Sequence, residues 1–269
     1  MPLLESVRSK DGTKIAFERR GDGPPLVMIH GTTVDRTRWG GVVGKLAQHF
    51  TLCLVDRRGR GDSGDGPRYA IEREFEDVVA VVESLATPAF VFGHSYGAIC
   101  SLEAARLTPR IAKLVLYEPP LPLPGQSHVF ISDLGERLDR FLVAGDRDAI
   151  VSTFMREVIR MSEDETASMR KTSTWEVRLR AAHTIPREMA TANRYQFSPE
   201  AFADLHVPTL FLLGSRSPVF LQAATRMASE AIAGSKVEEL RGHGHAAMST
   251  GPTVFLEKVL PFLLAPSFG

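Results

Sequence analysis

Cysteine is nearly missing from this chain: two residues in 269, Cys53 and Cys100. Both sit in apolar stretches, so the sequence predicts buried free thiols and excludes a disulfide framework. An excess of either charge is missing too, because Lys plus Arg and Asp plus Glu each total 32. Without a global field nothing steers the chain toward nucleic acid, an anionic membrane or an acidic partner, and a small molecule is the expected ligand. No apolar run reaches membrane-spanning length, and Met1 to Gly12 lacks the basic-then-apolar pattern of a signal peptide. A cytoplasmic location is therefore expected. Repeats and low-complexity tracts are absent, and no convergent set of metal ligands is visible, so neither a metal nor another cofactor is expected. The oligomeric state is left open.

What is present is a globular composition, 43% hydrophobic, able to bury a substantial core. The chain is organised around Ala89-Phe90-Val91-Phe92-Gly93-His94-Ser95-Tyr96-Gly97-Ala98. Its apolar first half reads as a buried strand, a helix-compatible stretch follows to Leu107, and a Gly-x-Ser-x-Gly turn joins them. Such a turn forces its central residue into a strained conformation and keeps Gly93 and Gly97 small where strand and helix converge. Ser95 then stands exposed at the carboxyl edge of the sheet, a candidate nucleophile.

Taken in order, Glu5 to Arg8 and Thr13 to Glu18 flank Lys10-Asp11-Gly12 and predict a hairpin. Leu26 to Ile29 and Thr51 to Val55 read as strands buried on both faces, with a helical stretch around Trp39 to Phe50 between them. The glycines of Asp56-Arg57-Arg58-Gly59-Arg60-Gly61-Asp62-Ser63-Gly64 predict a loop. That loop is basic enough to suggest phosphate binding, yet it lacks the Gly-Lys-Ser/Thr ending of a phosphate loop. Helical periodicity over Ile71 to Leu85, the Ser95 strand and its helix, and the run Ile111 to Glu118 complete an alternation that predicts the α/β class. The sheet is expected to be mostly parallel with helices on both faces. Ligands of such sheets bind beyond the carboxyl ends of the strands, where His30-Gly31, Ser95 and Glu118 all fall.

The rhythm breaks after Glu118. Four prolines and Gly125 lie within residues 119–125, and helical patterns then run to His206, too long for an ordinary crossover. We read residues 119–206 as a helical cap inserted into a core of residues 1–118 and 207–269. The core resumes with a strand from Val207, a helix over Val219 to Ile232, a strand over Lys236 to Leu240 and a last helix over Thr253 to Leu264.

His30-Gly31, Gly93-His94-Ser95-Tyr96-Gly97, the cap and Gly242-His243-Gly244-His245 together resemble a capped α/β-hydrolase, nearly end to end. The resemblance implies a serine nucleophile at Ser95 whose proton passes to a histidine. His245 fits the Gly-His step that supplies it; His243 is the rival. His30 and His94 resemble positions that shape the neighbouring loops, and His49, His128, His183 and His206 carry no motif. The backbone amides of Thr32 and Tyr96 would form the oxyanion hole, with the Thr32 and Thr33 hydroxyls as further donors or as turn-stabilising groups.

The acid departs from the common pattern. Most of the superfamily places an Asp in a Gly-x-x-Asp-Pro step after the strand that corresponds to Val207 to Leu213, and here the step is Gly214-Ser215-Arg216-Ser217-Pro218. Either the triad is broken or the carboxylate has moved. Glu118, one strand nearer, resembles the acid position of haloalkane dehalogenases and zearalenone-type lactone hydrolases; its alternatives are to cap the proline linker or to pair with a cap arginine. Trp175, Met155 and Tyr195 are the expected substrate contacts, with Met161 and Met169 beside them, although such residues also build cap cores. The expected activity is cleavage of a carboxylic ester or lactone of a medium-sized hydrophobic molecule through an acyl-enzyme. Hydrolysis of carbon–carbon bonds of the meta-cleavage type, and a non-catalytic ligand-binding role kept open by Ser217, are the alternatives.

Overall fold

The computed structural model describes residues 3–125 and 133–266. The sheet opens with the expected hairpin, β1 (Leu3–Arg8) and β2 (Lys14–Arg20), paired antiparallel. There follow β3 (Pro25–Ile29), α1 (Val43–Leu46), β4 (Thr51–Val55), α2 (Ile71–Glu83), β5 (Ala89–His94), α3 (Tyr96–Leu107) and β6 (Ile111–Tyr117). Between β6 and the next strand run α4 (Leu134–Val143), α5 (Arg147–Glu157), α6 (Glu163–Arg170), α7 (Ser173–Ala181) and α8 (Ile185–Arg194). The chain ends with β7 (Thr209–Gly214), α9 (Val219–Glu230), β8 (Lys236–Leu240), α10 (Ala247–Thr250) and α11 (Pro252–Leu264).

The eight strands are ordered β1-β2-β4-β3-β5-β6-β7-β8, and all pairings from β4 to β8 are parallel. Their alternating side chains divide between two cores. Val27 and Ile29, Cys53 and Val55, Leu114 and Leu116 pack under α2, α3 and α9. Leu26 and Met28, Leu52 and Leu54, Val115 and Tyr117 pack under Trp39, α10 and α11 on the other face. A strand with apolar residues on both faces has to be covered twice, which is why these runs are continuous in sequence. Cys53 and Cys100 are buried free thiols, and burial pushes the Cys53 thiol up to about 12.

One expected element is much shorter than its periodicity suggested. The stretch around Trp39 to Phe50 yields only a 3-10 turn, Arg36–Trp39, and the single turn of α1. Gly40 and Gly41 separate them, and a Cβ on Gly41 would lie 2.4 Å from the Met248 carbonyl oxygen. Close approach of backbones, not helix formation, governs that segment.

The five helices between β6 and β7 have a core of their own, formed by Leu134, Leu138, Ile150, Phe154, Trp175, Met189 and their neighbours. They are fastened to the sheet domain by buried charge. Glu188 of α8, fully buried, accepts from Arg57 at 3.0 Å and pairs with Arg60, while Arg57 also forks onto Glu74 with two bonds of 2.7 Å. Removing one member of such a set leaves the others charged and dry. Glu188→Gln strips Arg60 of its carboxylate and is expected to lower unfolding stability by about 3 to 5 kcal/mol, to be read by urea denaturation; a change below about 1 kcal/mol would show the set to be solvated.

Candidate active site

β3 lies between β4 and β5, so successive connections leave it in opposite directions and open a crevice beyond its carboxyl end. Two loops meet there. His30-Gly31-Thr32-Thr33 leaves β3, and Ser95 sits between β5 and α3 with φ 56° and ψ −125°. A Cβ on Gly97 would lie 2.4 Å from the His30 carbonyl oxygen and 2.5 Å from that of Ile29; one on Gly93 would lie 2.6 Å from the Gly97 carbonyl. Gly31 is pressed against the serine itself, its absent Cβ only 2.8 Å from the Ser95 Cβ. Among the described residues four non-glycines have positive φ: Thr33, Ser95, Glu118 and Arg160. Three of them belong to this site, where strain is held by the surrounding packing.

Glu118 ends β6 fully buried. Its Oε1 accepts from the Gly214 amide at 2.6 Å, and its Oε2 lies 2.5 Å from Nδ1 of His245. Ser217, in the Gly214-Ser215-Arg216-Ser217-Pro218 step, has a buried hydroxyl with no hydrogen-bond partner among the described residues. His245 is held from two further sides. The His94 ring donates from Nε2 to the His245 carbonyl at 2.8 Å, and Tyr117 donates to the Gly244 carbonyl. With Nδ1 taken by Glu118, Nε2 is the nitrogen of His245 left for Ser95, which lines the same cavity. His243 turns away, packed against Gly251 with Nδ1 3.2 Å from the Thr250 hydroxyl.

His30 and His94 are structural here. Nδ1 of His30 donates to the Gly31 carbonyl at 2.8 Å and Nε2 accepts from the Arg57 amide at 3.2 Å, tying together the loops after β3 and β4. Burial, reinforced by Arg60 and Arg57, pushes His30 well below its ordinary value. Burial and the neighbouring His245 do the same to His94. The glycine-rich loop after β4 wraps its own acid, not a phosphate: Asp56 accepts from the amides of Arg36 and Asp62, each at 2.9 Å, and pairs with Arg36. Among the described residues no group of three or more His, Cys, Asp or Glu is placed to hold a metal ion. His128 lies outside the described residues.

The cavity over Ser95 has two lobes that share Thr32, Ser95, Phe154, Ile159 and His245. One, narrow and about 400 Å³ only when its space open to solvent is included, is walled by Pro120, Val158, Met189, Pro218 and Leu221. The other, about 920 Å³ including its open mouth, is reached by Met155, Met161 and Met169, and also by Arg38 and Arg178, which no sequence motif had marked. Thr32 borders both lobes and Tyr96 the first. The Tyr96 side chain points away into the buried charge set, its hydroxyl 2.8 Å from that of Tyr69 and 2.7 Å from that of Thr191, so only its backbone faces the serine.

Two expected substrate contacts are placed elsewhere. Trp175 is buried in the core of the helical insertion and its indole donates to Asp148 at 3.0 Å. Tyr195 donates to Glu103 at 2.5 Å and borders a separate surface cleft with Pro122 and Leu123. Both rings satisfy their polar atoms within the fold, and neither lines the two lobes. Met155 does.

Residues 26–258 match the model of a family described as "Alpha/beta hydrolase family". A protein of Mycobacterium tuberculosis is 28% identical over 291 residues, covering 97% of this chain and 81% of that one. Among solved structures, an alpha/beta hydrolase from Sphaerobacter thermophilus is 35% identical with a TM-score of 0.85, covering 96% of this chain and all of the other (100%). The esterase RhEst1 from a Rhodococcus species is 25% identical with a TM-score of 0.73, over 97% of this chain and 98% of its own.

The two neutral buried histidines tie stability to pH. The folded protein refuses the proton that the unfolded chain accepts below about 6.5. Their contribution is thus complete above that pH and is lost as pH falls toward the depressed folded values. Each group adds a slope approaching about 1.4 kcal/mol per pH unit. His94→Gln is expected to flatten the dependence of unfolding free energy on pH, by about half that amount near pH 6.5 and by nearly all of it about one unit lower, measured by denaturant titration across pH; parallel curves would show that His94 is protonated in the folded state.

Proposed function

The chain belongs to the alpha/beta hydrolase family, and from that premise we propose that this hydrolase cleaves carboxylic esters or lactones through an acyl-enzyme on Ser95, without a cofactor. The observation that carries the reading is the 2.5 Å hydrogen bond from His245 Nδ1 to the buried Glu118 carboxylate, beside a serine in a strained strand-to-helix turn. A free serine hydroxyl is a poor nucleophile. His245 Nε2 accepts its proton as Oγ bonds to the substrate carbonyl carbon, and Glu118 keeps the imidazole in the required tautomer and offsets the positive charge that forms. The amides of Thr32 and Tyr96 receive the developing oxyanion. His245 returns the proton to the leaving oxygen, and a water molecule activated by the same nitrogen then releases the acid. The helices between β6 and β7 act as the cap, supplying Phe154, Val158 and Met189 as an apolar wall for part of the substrate. The 25% likeness to a named esterase over nearly the whole chain supports an ester bond as the target.

A fluorophosphonate is expected to label Ser95 stoichiometrically, as read by peptide mass spectrometry, and not to label Ser95→Ala. Against a 4-nitrophenyl ester, Ser95→Ala or His245→Ala is expected to lower kcat by about 10⁴ to 10⁶. Glu118→Gln should lower it by about 10² or more with the thermal unfolding midpoint nearly kept. An intact, unlabelled protein would favour the non-catalytic ligand-binding alternative.

A further inference from the structure

Buried guanidinium groups in this protein are neutralised with care, except at one place. Arg57 is matched by Glu74 and Glu188, Arg58 by Asp77 and Asp11, Arg60 by Glu188, and the half-buried Arg36 by Asp56 and Asp62. Arg178 is 9% exposed and pairs with no carboxylate among the described residues. Among the described residues it donates to the Thr33 hydroxyl, and its Nε finds no partner there. Arg38, half-buried, likewise meets no carboxylate among the described residues; its guanidinium reaches the Ser249 hydroxyl at 3.2 Å. Both line the larger lobe that holds Ser95 and His245, and no Asp or Glu lines it with them.

We propose that this lobe is a carboxylate subsite, in which Arg38 and Arg178 receive an anionic group of the substrate while Ser95 attacks its ester or lactone. The inference deepens the serine-hydrolase reading above and rests on it. Two cations without carboxylate partners, one buried and one half-buried, lining a single lobe are unfavourable in the empty protein. Burial pulls each guanidinium down, to about 10, and Arg38 adds to the effect on Arg178; both remain charged at neutral pH. A carboxylate relieves desolvation and mutual repulsion together, and the flat guanidinium fork suits its two oxygens. A role confined to holding Thr33 would need one neutral donor, not a second cation beside it. The apolar lobe on the other side of Ser95 and His245 completes the specification. The substrate class is an ester or lactone with an apolar group on one side of the scissile carbonyl and a carboxylate on the other.

The carboxylate can belong to the acyl part or to the alcohol part, and paired substrates separate these sources. One arm compares mono-4-nitrophenyl glutarate with 4-nitrophenyl pentanoate; the other compares 3-carboxyphenyl butyrate with its methyl ester. Wild-type protein is expected to favour the acid over its neutral counterpart by about tenfold or more in kcat/KM in one arm, the worth of one charge-assisted hydrogen bond. Arg178→Met and Arg38→Met should each reduce that ratio by about tenfold or more. Removing an unpaired buried cation should also raise the melting temperature of the ligand-free protein, where a residue needed for folding would lower it. Glutarate added to Ser95→Ala should raise its melting temperature, and the shift should vanish in Ser95→Ala combined with Arg178→Met.

Acid and neutral esters cleaved equally well, with no arginine-dependent glutarate shift, would overturn the subsite and leave the hydrolase intact. Failure to turn over any ester, with the arginine-dependent shift retained, would overturn the ester reading and leave the subsite standing. A lowered melting temperature in both methionine variants with unchanged selectivity assigns the arginines to folding and also defeats the proposal.

Discussion

A carboxylate without solvent, bonded to an imidazole, sets the terms for everything around it. Glu118 is fully buried, and both of its oxygens are engaged, one by the Gly214 amide and the other by His245. That arrangement reaches into three strand ends. β6 must deliver Glu118 in a left-handed backbone conformation, φ 49°, so that the side chain turns toward the neighbouring strand. β7 must end in a residue whose amide is free to donate and whose Cβ is missing, since a Cβ at Gly214 would lie 2.6 Å from the His243 carbonyl and 2.8 Å from the Ser217 hydroxyl. The loop after β8 must bring His245 back over β6, and Tyr117 and His94 hold its carbonyls there. The end of β7 thus donates a hydrogen bond to the carboxylate that follows β6.

The pairing of Glu118 with His245 was open to sequence reading because it touches motif positions: Ser217 stands where the Gly-x-x-Asp-Pro pattern expects an acid, and Glu118 follows a strand at the same sheet edge. The mostly parallel sheet was legible for a similar reason, since continuous apolar runs have few ways to be buried on both faces; the order of its strands was not. The lining of the cavity was not. Methionine and aromatic residues at helical spacing mark which residues are buried, not which core receives them, and Trp175 and Tyr195 went to cores other than the cavity. Arg38 and Arg178 stand 140 positions apart on unrelated elements, with nothing local to distinguish them from surface arginines. What sets them apart is the lack of a carboxylate partner among the described residues, which can be read only in three dimensions.

The placement of charge also explains why the cavity has a fixed shape. Tyr96, the residue after Ser95, sends its hydroxyl to Tyr69 and to Thr191 of α8, and the Arg57 guanidinium lies 4.5 Å above its ring. Glu188, one turn before Thr191, anchors that helix to Arg57 and Arg60. The Ser95 turn and the helices between β6 and β7 are therefore bound to one buried set of charges, and the wall that α5 and α8 present to Ser95 is held relative to the serine by buried bonds. Preorganisation of this kind reduces what must be ordered when substrate binds. It also restricts where uncompensated charge can be tolerated. On the carboxylate-subsite proposal, Arg38 and Arg178 stay without carboxylate partners among the described residues because an incoming anion completes the pairing.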